Sequence, residues 1–362
     1  MKSIKSQREK NIQLLRIGLT CGVFILHING DAGLFELCIQ QGEKAILTPI
    51  ALECLCICAV DTFLIISGYY LADTNIRNPK KVLDLFIQCG LFRLAKQIMI
   101  ILTQGGVLQW KQIILFAIPQ NYYITRYSVV YLLSPLINTA LNSHSLKNLR
   151  KIVCSIVVCF SIIPTILALV EGYSGIGLGG INPIGDSAGG GQTIVNFFMM
   201  YIIGFWINRE FKYNSTSIQK KMKTMSSLFV MNYLILFFWE FVYAKNRMWL
   251  FGTALAYCNP LVIIESVLLF IFFKSITVRS RIVNELSKSS LFAYLFGGLF
   301  VLIMPINQLF HIQKPLLCFI ELLFYSIIIY LLCFCIWKCI FSVVTFARRT
   351  LSIHYLEHND KK

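Results

Sequence analysis

In RIGLTCGVFILH, residues 16 to 27, an arginine and a histidine bracket ten residues that are almost all apolar. On an α-helix, eleven steps bring the two side chains within about 20° of one another around the axis and about 16.5 Å apart along it. An imidazole at membrane depth is either a proton-transfer group or a hydrogen-bonded packing residue. A guanidinium at a helix end is either an anion holder or a snorkelling cation that reaches lipid phosphates. Ionisable groups inside hydrocarbon are costly and rare, which favours function for His27. Other ionisable groups in apolar stretches are Glu53, Asp61, Arg93, Lys96, Arg126, Glu240 and Glu265.

These residues need membrane helices to position them. The 362 residues are 57% hydrophobic and 14% charged, a balance that excludes a soluble globule. Windows near the length that spans a bilayer predict ten helices, at 12–29, 45–71, 82–104, 113–141, 152–171, 192–208, 225–244, 258–274, 289–307 and 315–345. The long window at 113–141 holds Pro119 and Pro135 and reads as a short interfacial piece followed by the true span. The first helix lacks a small-residue cleavage site, so it reads as retained rather than as a signal peptide. The expected fold is an all-α polytopic bundle, with residues 1–345 as one membrane domain and 346–362 as a polar cytoplasmic tail.

Alternate loops hold 23 Lys and Arg on the side of the N-terminus against 5 on the other, which predicts that both termini are cytoplasmic. Basic loops beside anionic lipid also account for the net charge of +16, and no nucleic-acid-binding module is present. The loop EGYSGIGLGGINPIGDSAGGG, 171 to 191, carries nine glycines and no basic residue. Without a preceding strand its GIGLGG is no dinucleotide fingerprint; it reads as a flexible connector or an extracytoplasmic acceptor loop. Most of the thirteen cysteines fall in apolar windows. Residues two apart lie about 200° apart on a helix, so Cys54 and Cys56 cannot converge on one metal; with Cys58 they read as packing residues, and no metal site is expected.

Arginine, ten residues, then histidine on the first helix resembles the signature of the acyltransferase 3 family, multi-spanning O-acyltransferases of bacterial surface polysaccharides and related acceptors. DTFLIISGYYL (61–71) is similar to the family's aspartate and Ser-Gly segment, and NYYITRYSVVYLLSPLIN (121–138) to its tyrosine and Leu-Ser-Pro segment. FFMMYIIGFWI (197–207) resembles its Tyr-x-x-Gly helix, and LSKSSLFAYLF (286–296) its late Ser-Ser and Tyr-Leu helix. Two positions depart. Ala72 stands where relatives often carry arginine, with Arg77 the nearest replacement, and Gly297 where they often carry histidine.

The resemblance implies an acyl-CoA donor from the cytoplasm, usually acetyl-CoA, with no tightly bound cofactor, and a glycan or lipid-linked saccharide hydroxyl as acceptor. Arg16 would anchor the donor's phosphates while the thioester reaches His27 three turns deeper, as general base or as a transiently acylated group. Asp61 would orient His27, pair with an arginine or fix helix packing. Arg77 could replace the missing arginine, and Arg93 and Lys96 could enlarge the phosphate-binding mouth. Ser67, Tyr123 and Arg126 are the candidate substrate contacts, although the tyrosines around Arg126 could equally form an interfacial belt. This reading needs Arg16 and His27 to face a common passage. The implied location is the bacterial inner membrane, and the rival reading is a lipid-linked glycan transporter or flippase, against which no internal repeat is found.

Overall fold

The computed structural model describes residues 2–74, 76–104, 121–176, 190–220, 222–246 and 251–359, and among these every regular element is a helix. In chain order they are α1 (Lys2–Asn29), α2 (Leu34–Gln41), α3 (Glu43–Cys56), α4 (Ala59–Leu71), α5 (Pro79–Gln104), α6 (Tyr122–Asn142), α7 (Leu146–Val157) and α8 (Ile163–Ser174). After the glycine-rich stretch come α9 (Ile194–Lys220), α10 (Met222–Asn246), α11 (Phe251–Ala254), α12 (Pro260–Ser275), α13 (Arg281–Leu286), α14 (Ser290–Leu302), α15 (Ile306–Leu309) and α16 (Pro315–Asn359).

Among the described residues, six segments are long and apolar enough to cross a membrane: Lys10–Asn29, Glu43–Leu71, Pro79–Leu102, Leu146–Ser174, Met222–Lys245 and Pro315–Val343. The protein is an integral membrane protein. The window at 45–71 is two helices joined by a short turn at Ile57–Cys58. Within Leu146–Ser174 a π-helical turn, Val158–Ile162, precedes Pro164, whose ring nitrogen has no hydrogen to donate. The described part of the 113–141 window begins its helix at Tyr122, with Asn121 accepting from the Ile124 amide (3.1 Å) as the cap. The interfacial piece expected before it, and positions 177–189 of the glycine-rich loop, lie outside the described residues. At the other end α16 continues unbroken past residue 345 to Asn359, so the drop in hydropathy there does not end the helix.

Helix α1 is the axis of the bundle and packs on α3, α4, α12, α14 and α16. Its half nearer Arg16 puts Ile12, Leu15 and Leu19 into one apolar core with α4, α9 and α12, and its half nearer His27 puts Phe24, Ile25 and Ile28 into another with α3, α10 and α16. Cys54, Cys56 and Cys58 are buried members of the second core, as packing residues.

The closest helix pair is α4 and α9, which run parallel. A Cβ on Gly68 would stand 2.1 Å from the carbonyl oxygen of Tyr201, and one on Gly204 would stand 2.3 Å from that of Ile65. Only two glycines allow the backbones to come this near. The contact is then tied by Asn196 donating to Asp61 (3.0 Å), Asn208 donating to the Tyr69 carbonyl (2.9 Å) and the Lys212–Asp73 ion pair (2.5 Å). The Ser-Gly and Tyr-x-x-Gly motifs are therefore the two halves of one helix contact. Because the opposing atoms are backbone, Gly68→Ala should lower stability by at least about 2 kcal/mol through overpacking. Gly18→Ala, whose Cβ meets nothing within 4 Å, should be neutral or slightly stabilising. Thermal unfolding of the two variants in detergent checks the contrast.

Candidate active site

Arg16 and His27 lie along α1 and each opens into a cavity. Arg16 lines a cavity of about 240 Å³ with Ser67, Lys81, Tyr123, Tyr127 and Lys288. His27 lines a second, of about 590 Å³, with Asp31, Lys96, Asn121, Gln192 and Tyr257. Tyr294 borders both. The expected continuous passage is not what the structure shows: Arg16 and His27 line two separate cavities whose one shared lining residue is Tyr294, with the Tyr123 ring centroid 5.3 Å from that of Tyr294.

The chain places the cations through the direction of its helices. Helix α5 runs parallel to α1, with Lys81 near its start in the Arg16 chamber and Lys96 in the His27 chamber. Fifteen residues of helix separate those two by about 22 Å. Lys96 therefore serves the histidine end, not the mouth expected from sequence, and its turn-mate Arg93 lines neither chamber. The Arg16 end instead gathers Lys81 from α5 and Lys288 from the turn before α14. Both lysines sit in segments that the sequence presents only as basic loops. Among the described residues no carboxylate forms an ion pair with Arg16, Lys81 or Lys96.

The carboxylate on His27 is Asp31, four residues on and just past the end of α1. Nδ1 and Oδ2 are 2.6 Å apart. Its hydrogen bond with His27, opposed by partial burial and helped by the charges of His27 and Lys96, holds the Asp31 carboxyl below the usual carboxylate range. With Asp31 ionised, Nδ1 donates to it, and in the neutral ring the lone pair is then on Nε2, free to accept a proton. The side chains are 44% and 61% exposed, so the pair contributes at most about 1 kcal/mol to stability; what it fixes is the tautomer and the ring orientation. The i, i+4 spacing of His27 and Asp31 is the sequence signal that would have found it.

Asp61, expected near His27, is fully buried between α4 and α9, with Oδ1 held by Asn196. It does not reach the imidazole and forms no ion pair among the described residues. Ser67 lines the Arg16 chamber and donates to the Phe63 carbonyl (3.0 Å), and Tyr123 lines the same chamber. Arg126 borders neither chamber and sits over the Tyr122 ring, 5.3 Å from its centroid.

The two departures from the family pattern have local physical reasons. Ala72 is buried in a small apolar cluster with Leu141, Leu149 and Phe205, a costly surrounding for a guanidinium. A Cβ on Gly297 would stand 2.1 Å from the Phe24 ring, so the phenyl fills the space a larger residue would take. Arg77, the nearest replacement in sequence, lines neither chamber. It donates to Ser134 Oγ (2.6 Å), to Thr74 Oγ1 and O (both 2.8 Å) and to the Leu71 carbonyl (3.3 Å), which closes the end of α4 against α6. Arg77→Ala should therefore cost about 2 kcal/mol by stranding those acceptors while leaving the apparent KM for an acyl donor unchanged. Thermal unfolding beside donor titration of the purified protein distinguishes this from a donor-binding role, which would raise KM.

The sequence model of the acyltransferase 3 family, described as an acyltransferase domain, matches residues 9–338. No curated protein and no solved structure matches the chain. The matched stretch begins before Arg16 and runs into the second half of α16, so it takes in the residues that wall both chambers. On this match, and with a bundle of apolar helices around Arg16 and His27, the chain belongs to the acyltransferase 3 family and carries its acyltransferase domain in a membrane.

Proposed function

We propose that the protein is an O-acyltransferase of the bacterial inner membrane that moves an acyl group, acetyl in the first instance, from cytoplasmic acyl-CoA to a hydroxyl of a surface glycan or lipid-linked saccharide. The observation that carries the reading is that Arg16 and His27 open into two chambers that share Tyr294 in their lining, with the imidazole held by Asp31. The topology is ten crossings with both termini cytoplasmic. The charge bias of the loops supports it, and so does the alternation of contacts between helix ends: Lys245 pairs with Glu43 at the His27 end, Lys212 with Asp73 at the Arg16 end.

In this reading the donor enters the Arg16 chamber from the cytoplasm. The guanidinium and the ammonium groups of Lys81 and Lys288 hold its phosphates. The acceptor sits in the larger chamber, where Lys96, Asn121 and Gln192 offer hydrogen bonds to hydroxyls. His27 takes the proton of the acceptor hydroxyl on Nε2 as its oxygen attacks the thioester carbonyl. The C–S bond then breaks, and the thiolate leaves with the proton from the imidazolium, giving ester and free CoA thiol. Asp31 acts through His27, stabilising the imidazolium at the moment it forms. A bound donor that spans both chambers turns a bimolecular encounter into a local one.

His27→Ala should abolish acyl transfer in a folded, inserted protein. Asp31→Asn, which keeps the shape but not the charge, should lower kcat by about a hundredfold or more. Arg16→Ala should chiefly raise the apparent KM for acyl-CoA, by about tenfold for the loss of one charge-assisted phosphate contact. The check is acyl-transfer kinetics on purified protein, paired with mass spectrometry of surface glycans from wild-type, deletion and His27→Ala cells. Loss of one acyl increment in the deletion and the variant supports the reading. Glycans of unchanged acylation in the deletion strain would favour transport, and full acylation with His27→Ala would remove the proposed base.

A further inference from the structure

A donor anchored at Arg16 reaches His27 only by crossing the boundary between the chambers, and that boundary is built from few side chains. Tyr294 borders both chambers. It packs against Tyr123, which stacks on Tyr127 with ring centroids 5.8 Å apart and planes 9° apart and is backed by Phe197 at 5.6 Å. Tyr123 is thus fixed from several sides. Tyr294 lies beside Asn121, the cap of α6, in the lining of the His27 chamber.

One turn further along α14, on the face of Tyr294, stands Gly298. It lines the His27 chamber, and a Cβ there meets nothing within 4 Å. Its neighbour Gly297 is packed tight against Phe24. The same helix therefore offers a rigid anchor and, beside it, unfilled volume into which an aromatic ring can turn. Helical side chains normally lean toward the N-terminus, over the preceding turn. For Tyr294 that direction points toward Ser290 and Leu291, which line the Arg16 chamber, while Gly298 lies on the side of the His27 chamber.

We infer that Tyr294 is the residue that sets which acyl group is transferred: its ring is the movable partition between the chambers, and the opening it leaves on turning toward Gly298 limits the size of the acyl chain that reaches His27. The inference rests on the proposed acyl transfer between the chambers and adds the residue that governs its donor range. Tyr294 acts by size and takes no part in bond making. Ring volume, not the phenol, decides the outcome.

The readout is the ratio of hexanoyl to acetyl transfer from the corresponding CoA thioesters, on purified protein with one acceptor. The ratio cancels any uniform loss of acceptor binding. Tyr294→Ala should raise it by about tenfold or more, the discrimination that even one methylene commands in a tight apolar site. Tyr294→Phe should leave it within about twofold, and Gly298→Leu, which fills the space for the turned ring, should lower it. Gly298→Leu adds its side chain to open space, so it reads the ratio even where Tyr294→Ala does not fold. A ratio unmoved in folded Tyr294→Ala, a rise in Tyr294→Phe equal to that in Tyr294→Ala, or an unmoved ratio in Gly298→Leu would each overturn the inference. A folded Tyr294→Ala protein that transfers neither group would do so as well, by showing that the ring takes part in binding or chemistry. Wild-type protein that transfers no acyl group at all sinks the proposed function instead, so the two failures are told apart.

Discussion

A helix that carries a guanidinium and an imidazole through hydrocarbon has to give each of them water, a partner or a ligand, because an unpaired charge at membrane depth costs several kcal/mol. That constraint organises this bundle. Helix α1 buries Leu15, Leu19, Phe24 and Ile28 against its neighbours. The remaining flank carries Arg16 and His27, and α4, α5, α6 and α14 stand back from it far enough to leave two chambers. The chambers follow from the placement of two polar side chains on one apolar helix, and the aromatic boundary follows from the need to keep them from becoming a pore.

The same reasoning explains why glycine recurs at the contacts that frame the site. Gly68 and Gly204 bring α4 and α9 within backbone contact, which sets the depth of Ser67 in the Arg16 chamber. Gly297 admits the Phe24 ring and so seats α14 against α1, with Tyr294 less than one turn away. Small residues here substitute for the hydrophobic driving force that is missing between helices in lipid. The energy of the fold is packing; the chemistry is confined to the flank that packing leaves open.

How much of this the sequence disclosed follows from what each signal reports. Periodicity and hydropathy report burial and length, so the all-helical bundle and the shared flank of Arg16 and His27 were legible. The break at Ile57–Cys58 was not, since both helices there are equally apolar. Depth is harder to read than flank: spacing puts Lys96 one turn from Arg93 on α5 but does not tell which chamber it enters. Counted from Pro79, it stands at the histidine end. Long-range partners leave no mark in local spacing, so Asn196 on Asp61 and Ser134 on Arg77 are invisible in the sequence, which leaves the role of Asp61 open between chemistry and helix packing and suggests a donor contact for Arg77 where the structure shows bonds that join helices. Asp31 lies past the last helical residue, outside the apolar window that drew attention, although its spacing from His27 is the ordinary one-turn contact.

The central claim is that an acyl group passes from a donor on one side of the membrane to a hydroxyl on the other through the boundary between the Arg16 and His27 chambers. Sealed proteoliposomes of the oriented protein, with radiolabelled acetyl-CoA confined to the side of the basic loops and the acceptor to the opposite side, test it directly. The account predicts labelled acceptor on the far side and free CoA retained on the donor side. Labelled acceptor formed only when both substrates share one compartment would contradict it.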